Sequence, residues 1–270
     1  REVGPATSKK MQVNCGEHFS QPLILRNNVK VMLRTTRGVT VTIDGPVGVG
    51  KSTIAKEVAL RLSYTLVDTG CIYRAIARLA LDQDIDWDDE AGLLGIVDNL
   101  HIAFAFNGDL NRVFCNGEDI TERIQSREIS EGATFVSQLE SIRTALLSLQ
   151  RKLATRGGAV LEGRAVGNVV FPEADVKVYL DAPLEVRAER RLAVLQKRVP
   201  ELTIDDARRN VEERDQQDEA VVGKGREQRE DIMVIDTSTL SIGEIVEKIV
   251  VKAGAQAMKR QREAMQKASS

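Results

Sequence analysis

Residues 43–58 read IDGPVGVGKSTIAKEV, and the first strand, loop and helix of the fold follow from them. A β-rich run leads into this stretch, three glycines fall between positions 45 and 50, and apolar residues then recur at helical spacing. Residues 45–52, GPVGVGKS, match GxxxxGK[ST] at every fixed position. A strand, a glycine-rich loop and a helix in this order predict a site that binds phosphate groups.

The residue types in this loop suit a nucleoside triphosphate. Glycines let backbone N–H groups point inward, and the helix N-terminus adds partial positive charge. We expect Lys51 to reach the terminal phosphates of a nucleotide and the Ser52 hydroxyl to ligate Mg²⁺. A turn that only joins a strand to a helix is the alternative, and the flanking strand and helix disfavour it. The expected ATP-binding residues are Gly45, Gly48, Gly50, Lys51, Ser52 and Thr53.

Composition and charge exclude several classes of protein. The chain of 270 residues is 42% hydrophobic and 29% charged, as globular proteins are, and its net charge of -2 argues against a protein that coats nucleic acid. Three widely spaced cysteines without a CxxC predict neither a disulfide framework nor a zinc site. No run approaches the roughly 20 apolar residues of a membrane helix. We expect a soluble cytoplasmic monomer without membrane contact.

The order of the remaining patterns predicts the fold class. Strand-like and helix-like segments alternate, which predicts an α/β fold of the P-loop NTPase type with a parallel sheet flanked by helices. Between about 83 and 124, short strands with Asn-Gly turns at 107–108 and 116–117 predict a small antiparallel β insertion. A strongly charged helical stretch spans about 184–218, and charge runs of this kind are usually the solvated faces of helices.

The two ends of the chain differ from its middle. Residues 1–38 carry seven Lys or Arg against two Glu and show little periodicity, which predicts a loosely attached basic extension. An arm that binds nucleic acid or a larger assembly is one alternative; a targeting remnant, which would place the protein in an organelle matrix, is another. The main domain is predicted at 39–254, and residues 255–270 are predicted to be a frayed tail.

A phosphate loop alone leaves several activities open. GTPases also need a base-reading [NT]KxD, which this sequence lacks. A motor-type ATPase needs a strand that ends in a carboxylate, and Glu162 in GAVLEGR is a candidate. The chain is nevertheless short for an assembly engine and has no evident arginine-finger domain. A small kinase is the most economical interpretation.

The segment DTGCIYR, residues 68–74, follows the second predicted strand at the sheet edge where open α/β folds bind ligands. Here the chain resembles the bacterial cytidylate kinases, whose pattern is D[ST]GxxYR. The resemblance covers about 39–254 and continues in EISEGATFVSQLESIRTALLSLQR (128–151), LEGRAVGNVVFPEADVKVYLDA (161–182), EVRAERR (185–191), EERDQQD (212–218) and IDTSTLSIGEIVEKI (235–249).

The resemblance implies a nucleoside monophosphate kinase that uses ATP and Mg²⁺ and phosphorylates CMP or dCMP. It also implies a short helical lid at about 187–212. Its expected catalytic residues are Lys51, Arg164, Arg187 and Arg191, with Arg187 and Arg191 closing over ATP from the lid. Glu162 and Ser52 are the expected metal ligands. The acceptor site is expected to begin at Asp68, with Arg74 and Arg164 at the phosphate, Thr134, Arg214 and Asp218 at the sugar, and Thr69 and Arg143 near the base.

Several of these side chains also have an ordinary structural explanation. Arg187 and Arg191 lie four residues apart beside glutamates, so surface ion pairing on a helix would explain them. Asp218 would serve equally as an exposed carboxylate. Glu162 would serve as the partner of a neighbouring arginine.

Two departures from the family pattern affect the acceptor base. GRD[IM]GT is written GRAVGN here, so Ala165 replaces an aspartate and Asn168 a threonine, and Val221 replaces an arginine three residues after Asp218. Losing a buried hydrogen-bond partner costs about 1–3 kcal/mol, which relaxes base choice. The alternatives to a CMP kinase are therefore a kinase for another nucleotide, a more distant small-molecule kinase, and a kinase-like protein recruited to RNA or an assembly through residues 1–38.

Overall fold

The structure is a computed structural model that describes residues 38–106, 110–154, 157–222 and 230–268. None of the helices in these ranges has both the length and the apolar character that a membrane crossing requires. The elements in chain order are β1 (Thr40–Asp44), α1 (Lys51–Leu62), β2 (Thr65–Asp68), α2 (Thr69–Asp82), α3 (Glu90–Asp98), β3 (Ile102–Phe106), β4 (Asn111–Cys115), β5 (Glu118–Asp119), α4 (Arg127–Gln138), α5 (Glu140–Ala154), β6 (Ala159–Gly163), a π-helical turn (Val166–Val170), β7 (Val176–Asp181), α6 (Leu184–Leu195), α7 (Ile204–Val222), β8 (Ile232–Asp236) and α8 (Ile242–Ala268).

Five strands form a sheet in the order β2-β6-β1-β7-β8, and every neighbouring pair is parallel. Parallel neighbours need crossover connections, which the intervening helices provide. The predicted α/β class is confirmed. In the register, Asp44 lies opposite Gly163 and Asp68 opposite Glu162. The carboxyl ends of β1, β2 and β6 therefore meet at one edge of the sheet.

Two main apolar clusters hold the helices in place. Ile54 of α1 and Ile249 of α8 pack with the buried side chains of β1, including Ile43. A second cluster joins α2 to α5 with the small sheet, and Ile72 and Leu146 in it have no exposed surface. Burying one such side chain stabilises a fold by about 1.5–3 kcal/mol, so these clusters fix the helices that carry the site.

The β insertion is present, but it is shorter than predicted. Strands β3, β4 and β5 form an antiparallel sheet. The turn at 116–117 has positive φ at both residues, 50° at Asn116 and 86° at Gly117, as an Asn-Gly hairpin turn requires. The turn predicted at 107–108 lies outside the described residues. Residues 90–98 form a helix instead, which the Asp89 side chain caps by accepting from the N–H of Gly92 at 3.0 Å.

The ends of the main domain also differ from the prediction. Residues 255–268 do not fray; they continue α8, a helix of 27 residues. The ion pair of Arg260 with Asp175, at 2.7 Å, ties this half of the helix to the start of β7. The predicted lid range crosses parts of both α6 and α7. The predicted basic extension, apart from residue 38, lies outside the described residues.

Candidate active site

A cavity of about 990 Å³ opens at the sheet edge where β1, β2 and β6 end. Helices α4, α5, α6 and α7 complete its walls. Of the predicted site residues, Gly45 and Arg187 are the two that do not line it. Those that do are Gly48, Gly50, Lys51, Ser52, Thr53, Asp68, Thr69, Arg74, Thr134, Arg143, Glu162, Arg164, Arg191, Arg214 and Asp218.

The loop after β1 requires its glycines. Gly45, Gly48 and Gly50 have φ of 149°, 84° and 90°. A Cβ on Gly45 would lie 2.3 Å from the carbonyl oxygen of Leu180, and one on Gly48 2.7 Å from that of Arg187. Gly50 caps α1 without any side-chain hydrogen bond to the first turn. The described part of the structure thus shows no side-chain cap at the start of α1, which fits a site for phosphate.

Lys51 begins α1 and its side chain folds back over the loop. Its Nζ donates to the carbonyl oxygens of Gly45 and Pro46, each at 2.8 Å. Burial lowers the pKa of Lys51, and the charge of Arg164 lowers it further. Two cations close together under desolvation favour an anionic ligand, because such a ligand stabilises both charges.

Ser52 and Glu162 meet at the base of the cavity. The Ser52 Oγ donates to Glu162 Oε2 at 2.9 Å, and Glu162 is buried. Burial and the neighbouring Asp68 raise the pKa of Glu162. Within the described residues no three His, Cys, Asp or Glu side chains form a metal cage. Hydroxyl and carboxylate oxygens are nevertheless the ligands Mg²⁺ prefers, and it takes its remaining ones from phosphates and water.

Asp68 and Arg74 form a fixed pair at the start of α2. The Asp68 carboxylate caps the helix, accepting from the N–H of Cys71 at 3.3 Å, and accepts from Arg74 Nη2 at 2.9 Å. Arg74 Nε is buried and has no hydrogen-bond partner among the residues that the structure describes. The same arginine also contacts Cys71 Sγ at 2.9 Å. Arg74 thus presents an oriented positive charge to the cavity.

Arg164 connects the phosphate loop to α7. Its Nη1 donates to the carbonyl oxygen of Gly45 at 3.3 Å and pairs with the carboxylate of Asp218 at 2.7 Å. Burial raises the pKa of Asp218. Asp218 is therefore a partly buried and paired carboxylate, and the alternative of an exposed one is wrong.

Thr134 and Arg214 join α4 to α7 across the cavity. Thr134 Oγ1 donates to the carbonyl oxygen of Ser130 at 2.9 Å and accepts a short hydrogen bond from Arg214 Nη1. Burial lowers the pKa of Arg214, and so does the nearby Arg164. This contact brings two predicted sugar-site residues together.

Two residues that were expected near the base make backbone contacts. Arg143 Nη1 donates to the carbonyl oxygens of Ser137 and Gln138, at 3.1 and 2.6 Å, and so caps the end of α4. Thr69 Oγ1 donates to the carbonyl oxygen of Glu162 at 2.8 Å and is buried. The Thr69 hydroxyl thus joins α2 to β6.

Arg187 does not belong to a wall of the cavity. It is 8% exposed, its Nε donates to the carbonyl oxygen of Ala182 at 3.0 Å, and its Nη1 pairs with Asp215 at 2.7 Å. The same Nη1 donates to the carbonyl oxygen of Val47 at 3.4 Å. The side chain therefore contacts the phosphate loop without lining the cavity. Both expectations for it, a lid residue over ATP and a surface ion pair, are corrected by this burial.

Arg191 does line the cavity, and its Nε donates to Asn210 Oδ1 at 2.9 Å. Burial and the charge of Arg164 lower the pKa of Arg191. Its neighbour Arg190, which was not predicted, lines the same wall and donates to Thr237. The helical periodicity of α6 could not tell which of its arginines face the cavity.

Sequence reasoning missed three other residues. Asp44 accepts hydrogen bonds from the backbone of the π-helical turn. Asp215 holds Arg187. Gln217 lines the cavity, and its buried Oε1 has no hydrogen-bond partner within the described ranges. Asp44 directly precedes the GPVGVGKS motif, yet its hydrogen-bond partners, Val166 and Gly167, are remote in the chain. No local sequence pattern could identify them.

The two unusual residues of the GRAVGN segment, Ala165 and Asn168, differ in whether they line the cavity. Ala165 lines the cavity. Asn168 is not part of that lining, and its buried Oδ1 has no hydrogen-bond partner in the described part of the chain. The side chain of Val221 lies outside the described part of the structure. Of Ala165 and Asn168, whose side chains the structure describes, only Ala165 therefore borders the cavity.

Comparisons with known proteins agree with this site. Residues 41–255 match the family model described as cytidylate kinase. A cytidylate kinase from Geobacter sp. (strain M21) is 43% identical over 210 residues, which cover 78% of this chain and 90% of that protein. One from Geobacillus sp. (strain WCH70) is 38% identical over 226 residues, covering 84% and 96%.

Among solved structures, a gluconokinase from Sinorhizobium meliloti 1021 gives a TM-score of 0.45 at 13% identity, covering 84% of this chain and 98% of that one. This likeness carries no weight here. The sequence match extends over most of the chain and includes the phosphate loop, the DTGCIYR segment and the arginines of α6 and α7. By that match, the chain belongs to the cytidylate kinase family.

Proposed function

We propose that this protein transfers the γ-phosphoryl group of ATP to a pyrimidine nucleoside monophosphate, CMP or dCMP, and releases ADP and the diphosphate. One observation carries the proposal. A single cavity contains the phosphate loop with Lys51 and, facing it, Arg74 and Arg164, which are oriented by Asp68 and Asp218. A donor site and an acceptor site for phosphate thus share one enclosure.

The donor half of this site binds the phosphates of ATP. The N–H groups at the start of α1 and the ammonium of Lys51 neutralise their charge, and the curled loop of Gly48 and Gly50 gives room for close approach. Ser52 and Glu162 supply the protein oxygens next to Mg²⁺. When bound, Mg²⁺ neutralises negative charge on the phosphates.

The acceptor half orients the monophosphate. Arg74 and Arg164 grip its phosphate, since guanidinium groups remain charged and bind phosphate with a planar fork. Thr134, Arg214 and Asp218 are the proposed sugar contacts. In the transfer, an acceptor oxygen forms a bond to the γ-phosphorus while the bond from that phosphorus to the bridging oxygen of ADP breaks.

The arginines stabilise the transferring group. Phosphoryl transfer depends mainly on positioning and on neutralising spread negative charge. Arg191 lines the wall of the cavity and is the proposed contact from α6, and Arg190 is a second candidate. Arg187 is held by its ion pair with Asp215 and contacts the phosphate loop at the carbonyl oxygen of Val47. Its proposed role is to support this loop rather than to contact the substrate.

The test is ADP release with ATP and Mg²⁺ against CMP, dCMP, UMP, AMP and GMP. Lys51→Met should abolish it, because the γ-phosphate loses its ammonium partner, while the matched substitution Lys252→Met at an exposed position of α8 should leave it unchanged. Turnover on CMP or dCMP that depends on Lys51 supports the proposal, and turnover on another acceptor alone reassigns the base. Folded protein that binds ATP without turning over any acceptor would instead favour the recruited binding component.

A further inference from the structure

Asp44 has no part in the contacts with substrate proposed for this site, yet its carboxylate is fully engaged there. It is the last residue of β1 and is 7% exposed. Its Oδ1 accepts from the N–H of Val166 and its Oδ2 from the N–H of Gly167, both at 2.8 Å. These two N–H groups belong to the first two residues of the π-helical turn, so one buried carboxylate holds the beginning of that turn.

The two segments joined in this way are the two halves of the site. Asp44 directly precedes Gly45, the first residue of the phosphate loop. Arg164 precedes the π-helical turn by two residues and lies beside β1, because Gly163 pairs with Asp44 in the sheet. A movement of the turn would therefore carry Arg164 away from Gly45, to whose carbonyl oxygen it donates at 3.3 Å.

The turn is also closely packed on β1. A Cβ on Gly167 would lie 2.7 Å from Thr42 Oγ1 and 3.2 Å from Asp44 Oδ2. Only glycine fits there without displacing one of these groups. The turn is thus held by two hydrogen bonds and by contact with the strand.

The Asp44 carboxyl also interacts with the two cations of the site. Burial raises the pKa of Asp44, while the two backbone N–H groups and the cations of Lys51 and Arg164 act in the opposite direction. These two cations repel each other, as the lowered pKa of Lys51 reflects. The Asp44 carboxyl lies close enough to both cations to interact with them electrostatically.

We propose that Asp44 is a positioning residue of the kinase reaction: its carboxylate holds the π-helical turn so that Arg164 keeps its place opposite the phosphate loop. This rests on the proposed function. Asp44→Asn tests it, because an amide has a single acceptor oxygen and its NH₂ would face a backbone N–H. The matched control is Asp175→Asn, which also removes a carboxylate that accepts from the backbone of β1, at Thr40 N, but at the opposite end of the strand.

The measurements are kcat, both KM values and hydrogen–deuterium exchange of the peptide 163–170 in the ligand-free full chain. We expect Asp44→Asn to lower kcat by about a hundredfold and to raise the KM for CMP by about tenfold, because the acceptor arginine is misplaced. The KM for ATP should change less than about threefold, since Lys51 is held by the carbonyl oxygens of Gly45 and Pro46, and Asp44 affects its pKa less than Arg164, Glu162 and Asp218 do. Exchange in 163–170 should become faster. Asp175→Asn should change none of these.

Unchanged kcat, KM for CMP and exchange in Asp44→Asn would overturn the proposal, as would the same changes in Asp175→Asn. If Asp44→Asn does not fold, Gly167→Ala is the second variant, because its methyl group would push the turn away from β1. It should likewise raise the KM for CMP much more than the KM for ATP. An unchanged KM for CMP in Gly167→Ala overturns the proposal. If the wild-type protein phosphorylates no acceptor, the proposed function fails. In that case, hydrogen–deuterium exchange of peptide 163–170, compared between wild type and Asp44→Asn, still decides whether Asp44 holds the turn.

Discussion

Arg164 Nη1 lies 2.7 Å from the carboxylate of Asp218, and this pair joins the loop after β6 to helix α7 across the cavity. Both side chains are about one-quarter exposed, at 26% and 29%. A partly buried pair of this kind fixes direction more than it adds stability, because desolvation offsets much of the attraction. In the proposed reaction, its value lies in holding the guanidinium of Arg164 where the acceptor phosphate would bind.

Asp218→Asn should therefore weaken acceptor binding more than it weakens the fold. We expect the KM for CMP to rise about tenfold, equivalent to about 1.4 kcal/mol, because Arg164 loses its anionic partner. Steady-state kinetics at saturating ATP measure this. The control is Asp205→Asn on the same helix, whose pair with Arg208 is exposed and worth about 0–1 kcal/mol. An unchanged KM in folded Asp218→Asn would contradict the role.

Substitutions of Arg187 and Arg191 should affect different properties of the protein. Loss of the Arg187 side chain should mainly lower stability, and loss of the Arg191 side chain should mainly lower kcat. Arg187→Ala removes a nearly buried side chain that donates to Ala182 and Asp215, so we expect a loss of about 1.5–3 kcal/mol in the free energy of unfolding. Arg191→Ala should lower kcat with a much smaller change in stability, because Arg191 lines the cavity. Urea unfolding and ADP release on both variants give the comparison. Equal stabilities would refute the assignment of Arg187 as a support.

Glu162 should make the ligand-free protein sensitive to pH. Burial and the neighbouring Asp68 raise its pKa from the ordinary 4.5 to about 8. Between these values the folded state binds more protons than the unfolded state, so the contribution of Glu162 to stability falls as pH rises through this window. Glu162→Gln cannot titrate, and its stability should therefore increase relative to wild type from about pH 5 to about pH 9.

Urea unfolding at several pH values tests this prediction. Lys51 titrates nearby, so the same comparison is made in a Lys51→Met background, in which the lysine makes no contribution. If the difference in stability between the Glu162→Gln variant and its parent stays constant across the window in both backgrounds, the carboxyl keeps an ordinary pKa.

Ala165→Asp should sharpen the choice of acceptor base. Ala165 lines the cavity, so an aspartate there adds a hydrogen-bonding group where the cytidylate kinase pattern has one. We expect the ratio of kcat/KM for CMP over UMP to rise about tenfold, as one buried polar contact allows. Asn168→Thr is the control, because Asn168 is not part of the cavity lining. Equal ratios in wild type and Ala165→Asp would mean that position 165 does not contact the base.

Much of the fold was predictable because its signals are local. The GxxxxGK[ST] spacing, the alternation of strands and helices and the Asn-Gly turn at 116–117 each act within a few residues. Helix α3 and the continuation of α8 through 255–268 were missed, since their stability depends on caps and packing partners that lie elsewhere.

The sequence by itself determined the phosphate loop and the parallel sheet, because glycine positions and hydrophobic periods constrain the backbone directly. It also indicated the family, through the resemblance of DTGCIYR and the later segments to the cytidylate kinase pattern. Only the tertiary structure decided that Arg187 is a buried support while Arg191 lines the cavity, and that Asp44 holds the turn after Arg164. Such roles depend on which remote backbone groups a side chain meets. Contacts of that kind are set by the packing of strands and helices, and no spacing along the chain encodes them.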